Sequence, residues 1–238
     1  MENFALILQT LNGFENQKTV HVTRHPIHST ETGPILLAGE PVGEEIIEDL
    51  VVALEGTHKE RVQLMDDRVL AKTGTTIVWY RKGSNATCRF LHKDEVIEVS
   101  CNVPPLIFCA SAGTLKVVAY KGKGKPNSST KLFRAPFPNI GSSGSMCLGS
   151  NKLDHFISES MIDFVEEMFF ESEFTELHGS CLKGVESYQQ IVEFFEQLGE
   201  AKNDFPTRKL VAMNYYVDRN EPVTLESWLD SFNYMQGD

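Results

Sequence analysis

Residues 135–149 read Ala-Pro-Phe-Pro-Asn-Ile-Gly-Ser-Ser-Gly-Ser-Met-Cys-Leu-Gly, and no helix or strand survives two prolines and three glycines at that density. Proline removes backbone donors, and glycine loses the most conformational freedom on ordering. The stretch is therefore a loop. It carries an asparagine and a cysteine eight positions apart, Asn139 and Cys147, so it can present a thiol beside an amide on an irregular surface.

Before the loop, apolar runs rich in β-branched and aromatic residues predict strands at 75–80, 87–91, 96–99, 106–109 and 115–120, together an antiparallel meander. Shorter runs at 4–8 and 19–22, with Asn12-Gly13 between them, predict a hairpin. From Gly43, Ile46, Ile47, Leu50, Val51 and Leu54 recur at helical spacing against Glu44, Glu45, Glu48 and Asp49, which predicts a helix as far as Gly56. After the loop, Leu153, Phe156, Ile157, Met161, Phe164, Val165 and Met168 mark the apolar face of a helix whose other face bears Asp154, Glu159, Asp163, Glu166 and Glu167. A second helix is marked by Val185, Tyr188, Ile191, Val192, Phe195 and Leu198, ending near Gly199. A strand at 210–217 and a short helix at 224–232 complete the pattern. The class is α+β: a β-meander flanked by helices, elaborated at both ends. We read it as one domain over 1–238, with a hairpin and helix in 1–70, meander and loop in 71–152, and a helical part in 153–238.

Composition sets the surroundings. The chain has 238 residues, 41% hydrophobic, enough for one large core. With 22 basic against 33 acidic residues its formal charge is −11, which disfavours nucleic-acid phosphates as partners. No twenty-residue apolar run or basic signal-peptide start occurs, so a cytoplasmic protein away from membranes is expected. The five cysteines contain no Cys-x-x-Cys pair, which fits reduced thiols and no metal centre. Cys88 and Cys109 fall in strand-like runs, Cys101 in an expected loop. The lysine-glycine run 121–125 lacks the Gly-Lys-Ser/Thr triplet of a phosphate loop, and Pro126 removes a donor such a loop needs.

Phe137-Pro138-Asn139-Ile140 followed by Gly144-Ser145-Met146-Cys147-Leu148 resembles the active-site flap of ubiquitin-conjugating enzymes, in which His-Pro-Asn-Ile leads through Gly and Ser to Ile-Cys-Leu. Phe137 stands where that pattern has histidine, while Pro138, Asn139, Gly144 and Cys147 keep their order. Within that superfamily the chain is similar to the prokaryotic family D proteins, also called PRTRC system protein B. The segments Leu36-Leu37-Ala38-Gly39-Glu40-Pro41, Val78-Trp79-Tyr80 and Ser172-Glu173-Phe174-Thr175 agree. The resemblance implies a UBC-like fold and a bacterial conjugation carrier without a cofactor. Cys147 would take a ubiquitin-like protein as a thioester from a ThiF-like activating enzyme and pass it on, with a JAB-type peptidase as a companion.

That chemistry sets demands on the residues. The sulfur must react as a thiolate, which a following helix or the amides of the 144–149 curve would favour. Asn139 either donates to the oxyanion formed during attack, an interaction worth about 3 kcal/mol, or braces the loop through backbone bonds. An acceptor amine must lose its proton, and Asp154, His155 and His178 are the candidates to receive it. Two other readings stand beside this one. A noncatalytic UBC-like module would recruit a ubiquitin-like partner, and a cysteine hydrolase would pair Cys147 with His155 or His178.

Overall fold

The computed structural model describes residues 4–12, 18–30, 33–43, 65–111, 113–153, 158–214 and 222–234. The chain divides into two compact units, Met1–Leu64 and Met65–Asp238. In the first unit, β1 (Phe4–Asn12) pairs antiparallel with β2 (Lys18–Thr30), which also pairs with β3 (Gly33–Leu36) and β4 (Glu40–Pro41). Both expected strands are present and longer than their apolar runs. The helix expected from Gly43 lies almost wholly outside the described residues.

The second unit is built on an antiparallel sheet whose strands are β5 (Val69–Lys72), β6 (Thr76–Arg81), β9 (Leu106–Ser111), β10 (Thr114–Tyr120) and β11 (Leu132–Arg134). They lie in the order β11-β10-β9-β6-β5. Side chains alternate between sheet faces, so the nearly continuous apolar runs of β6, β9 and β10 serve two cores at once. Ile77, Trp79, Phe108, Ala110, Val117 and Ala119 enter one core. Their neighbours Val78, Tyr80, Ile107, Cys109, Val118 and Tyr120 enter the other, closed by Met213, Val223 and Trp228.

The α+β class and antiparallel pairing hold, with one refinement. β7 (Ser84–His92) and β8 (Glu95–Val103) leave the meander as a hairpin, so β6 pairs directly with β9. Lys93 and Asp94 make its tight turn, both at positive φ (53° and 64°), the conformation that matches strand twist. Cys101, expected in a loop, is a buried residue of β8 because its strand face points at the core.

Among the described residues there are three α-helices: α1 (Ile162–Glu171), α2 (Tyr188–Ala201) and α3 (Leu225–Tyr234). None is long and apolar enough to cross a membrane. α2 starts at a Ser187/Gln190 capping box and buries Ile191, Val192, Phe195 and Leu198, as its spacing predicts. α1 departs from expectation. It buries Ile162, Val165 and Phe169, leaves Phe164 55% exposed, and turns Glu166 inward. The cause is Trp79, a fully buried indole whose N–H needs an acceptor and donates to Glu166 Oε1 at 3.0 Å. Arg81 Nε, 3.3 Å from Glu166 Oε2, offsets part of the carboxylate's burial, which still pushes the Glu166 pKa up. The strand expected at 210–217 is reduced to isolated bridges, Leu182↔Leu210 and Phe133↔Ala212, within its described part.

Candidate active site

Residues 135–147 form a compact, hydrogen-bonded flap. Ile140 and Met146 pair across it, and Gly141 N–H donates to Ser145 O at 2.9 Å. The flap then continues the pairing of β10 beyond the end of β11. Val117 N–H donates to Gly144 O at 2.7 Å, and Met146 N–H donates to Leu115 O at 2.9 Å. Gly144 is required there, because its φ is +88° and a Cβ would lie 2.9 Å from Val118 Cγ1 and 3.1 Å from Val117 O. Pro138 is buried at the flap base.

Phe137 anchors that base. Its ring is fully buried, stacked on Phe174 (5.3 Å between centroids) and Phe195 (5.5 Å), and meets Phe169 edge-on at 5.3 Å. Apolar and aromatic contact takes the place of any bond an imidazole would make at this position.

Asn139 is the knot of the site. It adopts a left-handed backbone (φ +60°), which asparagine tolerates better than most residues. Its Nδ2 donates to Glu173 O at 2.9 Å. Its Oδ1 accepts from Thr175 N–H (3.0 Å), Thr175 Oγ1 (3.1 Å) and Glu176 N–H (2.9 Å). The carboxamide thus braces segment 173–176, whose start, β12 (Glu173–Phe174), pairs parallel with β7. On the far side the Tyr188 hydroxyl reaches the carbonyls of Phe174 and Leu91. Three independent ties therefore fix this wall.

Cys147 is exposed at the exit of the flap, its N–H donating to Asn139 O at 2.8 Å. Between flap and wall lies a cleft of about 430 Å³ lined by Asn139, Cys147, Asn151 and His178, together with Glu171, Glu173, Thr175 and Glu176. The structure thus brings Asn139, Cys147 and His178 to one cleft. Asp154 and His155 lie outside the described residues. The sequence reading missed Glu171, Glu173 and Glu176, exposed carboxylates of the same cleft. Only Ser172-Glu173-Phe174-Thr175, quoted for its resemblance, pointed toward them.

The helix start and part of the amide curve expected beside the thiol lie elsewhere. The N–H groups of Gly144, Met146 and Cys147 are already bonded to carbonyls, and α1 starts well beyond the thiol, at Ile162. These three amides are committed to carbonyls rather than to the sulfur, and no described α-helix begins at the loop. The remaining cysteines are buried. Burial pushes the Cys109 and Cys181 thiols up to about 12, and a hydrogen bond with Cys101 together with burial raises Cys88. Among the described residues no group of three or more His, Cys, Asp or Glu is arranged to hold a metal ion.

Comparison with protein families matches residues 46–213 to prokaryotic E2 family D. No curated protein and no solved structure matches the chain. Because the matched span contains the flap, the bracing wall and the helices behind them, the chain belongs to prokaryotic E2 family D, whose members take a UBC-like role in ubiquitin-like conjugation.

Proposed function

We propose that this protein carries a ubiquitin-like protein as a thioester on Cys147 and transfers it to an acceptor amine. The observation that carries the reading is the exposed Cys147 sulfur in a cleft walled by Asn139 and three carboxylates. In the first step the Cys147 thiolate attacks the thioester carbonyl of the ubiquitin-like protein on a ThiF-like activating enzyme. A tetrahedral oxyanion forms and collapses, releasing the activating enzyme's thiolate. In the second step an acceptor amine attacks the new Cys147 thioester, loses a proton to the cleft, and expels the Cys147 thiolate as the amide forms. Glu171, Glu173, Glu176 and His178, which line the cleft, join Asp154 and His155 as candidates to take that proton.

Asn139 serves chiefly as a positioning residue. Its second Nδ2 hydrogen has no acceptor among the described residues, and it is the part of the carboxamide left to meet a developing oxyanion. The hydrolase reading has weaker support, since no described imidazole hydrogen-bonds the Cys147 thiol. We expect cytoplasmic action with a JAB-type peptidase as a companion, and the two compact units working as parts of one UBC-like protein.

The test is a charging reaction with the activating enzyme, ATP and the ubiquitin-like partner. A reductant-sensitive adduct that disappears in Cys147→Ala is the expected result. Persistence of that adduct in the variant, or no adduct with wild type, sinks the carrier reading.

A further inference from the structure

The thiol cleft does not end at α1. A second hollow of about 350 Å³ shares Asn151, Glu171 and Ser172 with it, and continues over Phe164 and Met168. A third, of about 400 Å³, shares Arg89, Glu167 and Glu171 with the second and reaches Ala86 and Thr87 on β7. Hollows with common walls make one groove. It runs from Cys147 along the outer side of α1 to the β7–β8 hairpin.

Two properties of the groove identify its occupant. Where it crosses α1 it offers apolar surface: Phe164 is 55% exposed, and Met168 is half-buried beside it. A phenyl ring so exposed on a helix is a natural anchor for the aliphatic stems of lysine or arginine, and its face attracts their cations. The second property is charge. Glu167, Glu171 and Glu176 form no ion pair among the described residues. The groove's arginine, Arg89, is held by Glu98 at 3.4 Å and Glu173 at 3.9 Å, which leaves Lys152 as the other cation along the path. Negative charge is therefore in excess along a groove that ends at the thiol. Continuity with the thiol fixes the path of any chain lying in it.

We propose that this groove docks the acceptor as an extended segment rich in lysine and arginine, with one lysine delivered to Cys147. This rests on the thioester reading for its product, but the docking itself does not need the thioester. Basic residues flanking the target lysine lie along Glu167 and Glu171, and their stems cover Phe164 and Met168. Complementary charge of this kind sets specificity and is screened by salt.

The test uses the full chain and two fluorescein-labelled decapeptides, one with a central lysine among arginines, the other with serines replacing the arginines. Anisotropy titration is expected to give at least about ten-fold tighter binding of the basic peptide, a preference that shrinks at high salt. Glu167→Lys and Phe164→Ser alter exposed side chains that do not line the thiol cleft, so both are expected to keep the wild-type Tm and circular dichroism. Each is expected to cut basic-peptide binding about ten-fold and leave the serine peptide unchanged. Discharge of charged Cys147 should show the same preference, with free lysine unaffected by either variant. Equal binding of the two peptides to wild type, or undiminished binding to both folded variants, overturns the groove. Preferential binding without Cys147 charging supports the groove and overturns the carrier reading, so the two failures are distinct.

Discussion

Asn139 and Glu176 are bonded reciprocally: the Asn139 backbone N–H donates to Glu176 O at 2.7 Å, and the Glu176 N–H donates to Asn139 Oδ1 at 2.9 Å. Flap and cleft wall are joined at this point, so thiol geometry and local stability depend on one side chain. Asn139→Ala removes all four side-chain bonds and leaves a non-glycine residue at φ +60°. We expect a loss of about 2–4 kcal/mol in urea unfolding, with slower charging of Cys147. Asn139→Asp keeps the oxygen that accepts from Thr175 and Glu176 but sets a carboxylate oxygen against the Glu173 carbonyl in place of the Nδ2 donor. It should also destabilise, by about 1–3 kcal/mol, and an alanine or aspartate variant as stable as wild type would contradict the brace.

Phe137 gives the opposite of the usual expectation for restoring a family motif. Phe137→His places ring nitrogens among the apolar rings of Phe169, Phe174 and Phe195 in a fully buried site. An unsatisfied buried polar group costs about 1–3 kcal/mol, so the histidine variant should unfold at lower urea than wild type. Phe137→Ala should lose about 3–5 kcal/mol through the cavity it leaves. A histidine variant as stable as wild type would show that the aromatic cluster is not what holds the flap.

Acid should act on the ion pairs around β5. Hydrogen bonds from Arg68 hold the Asp66 carboxyl below the usual carboxylate range. A depressed folded-state pKa means the native state favours the ionised form, so the stabilisation is complete above the unfolded pKa, near about 4, and disappears as pH falls through the folded value. The urea midpoint of Asp66→Asn should therefore lie below that of wild type at neutral pH and converge with it in acid. Glu166 has the reverse sign, because burial raises its pKa. Glu166→Gln should gain relative to wild type as pH rises above the ordinary glutamate range.

Thiol reactivity should single out Cys147. It is exposed, whereas Cys88, Cys101, Cys109 and Cys181 are buried. Under native conditions a chromogenic disulfide reagent should modify one thiol quickly and the other four only after unfolding. Cys147→Ala should abolish the fast phase without changing the slow one.

Much of the second unit was readable in the chain. β6, β9 and β10 came through because uninterrupted apolar runs have few other uses, and α2 because its apolar residues recur at helical spacing. Readings failed where a distant partner overrode local pattern. Glu166 looked like a solvent-facing residue until Trp79 required its carboxylate, and Cys101 looked like a loop residue because Pro104 follows so closely. Glu171, Glu173 and Glu176 carried no signal beyond the resemblance of Ser172-Glu173-Phe174-Thr175 to the family.

By itself the sequence determined that residues 135–149 are a loop, that an asparagine and a cysteine share it, and that strands precede it and helices follow. Backbone chemistry settles those points, since proline and glycine restrict local conformation wherever the chain goes. Only the tertiary structure decided that Asn139 is tied to residues 34 to 37 positions later, and that these residues wall the Cys147 cleft with carboxylates. Hydrogen bonds across such separations exist only after the sheet and helices have packed, so no local pattern encodes them.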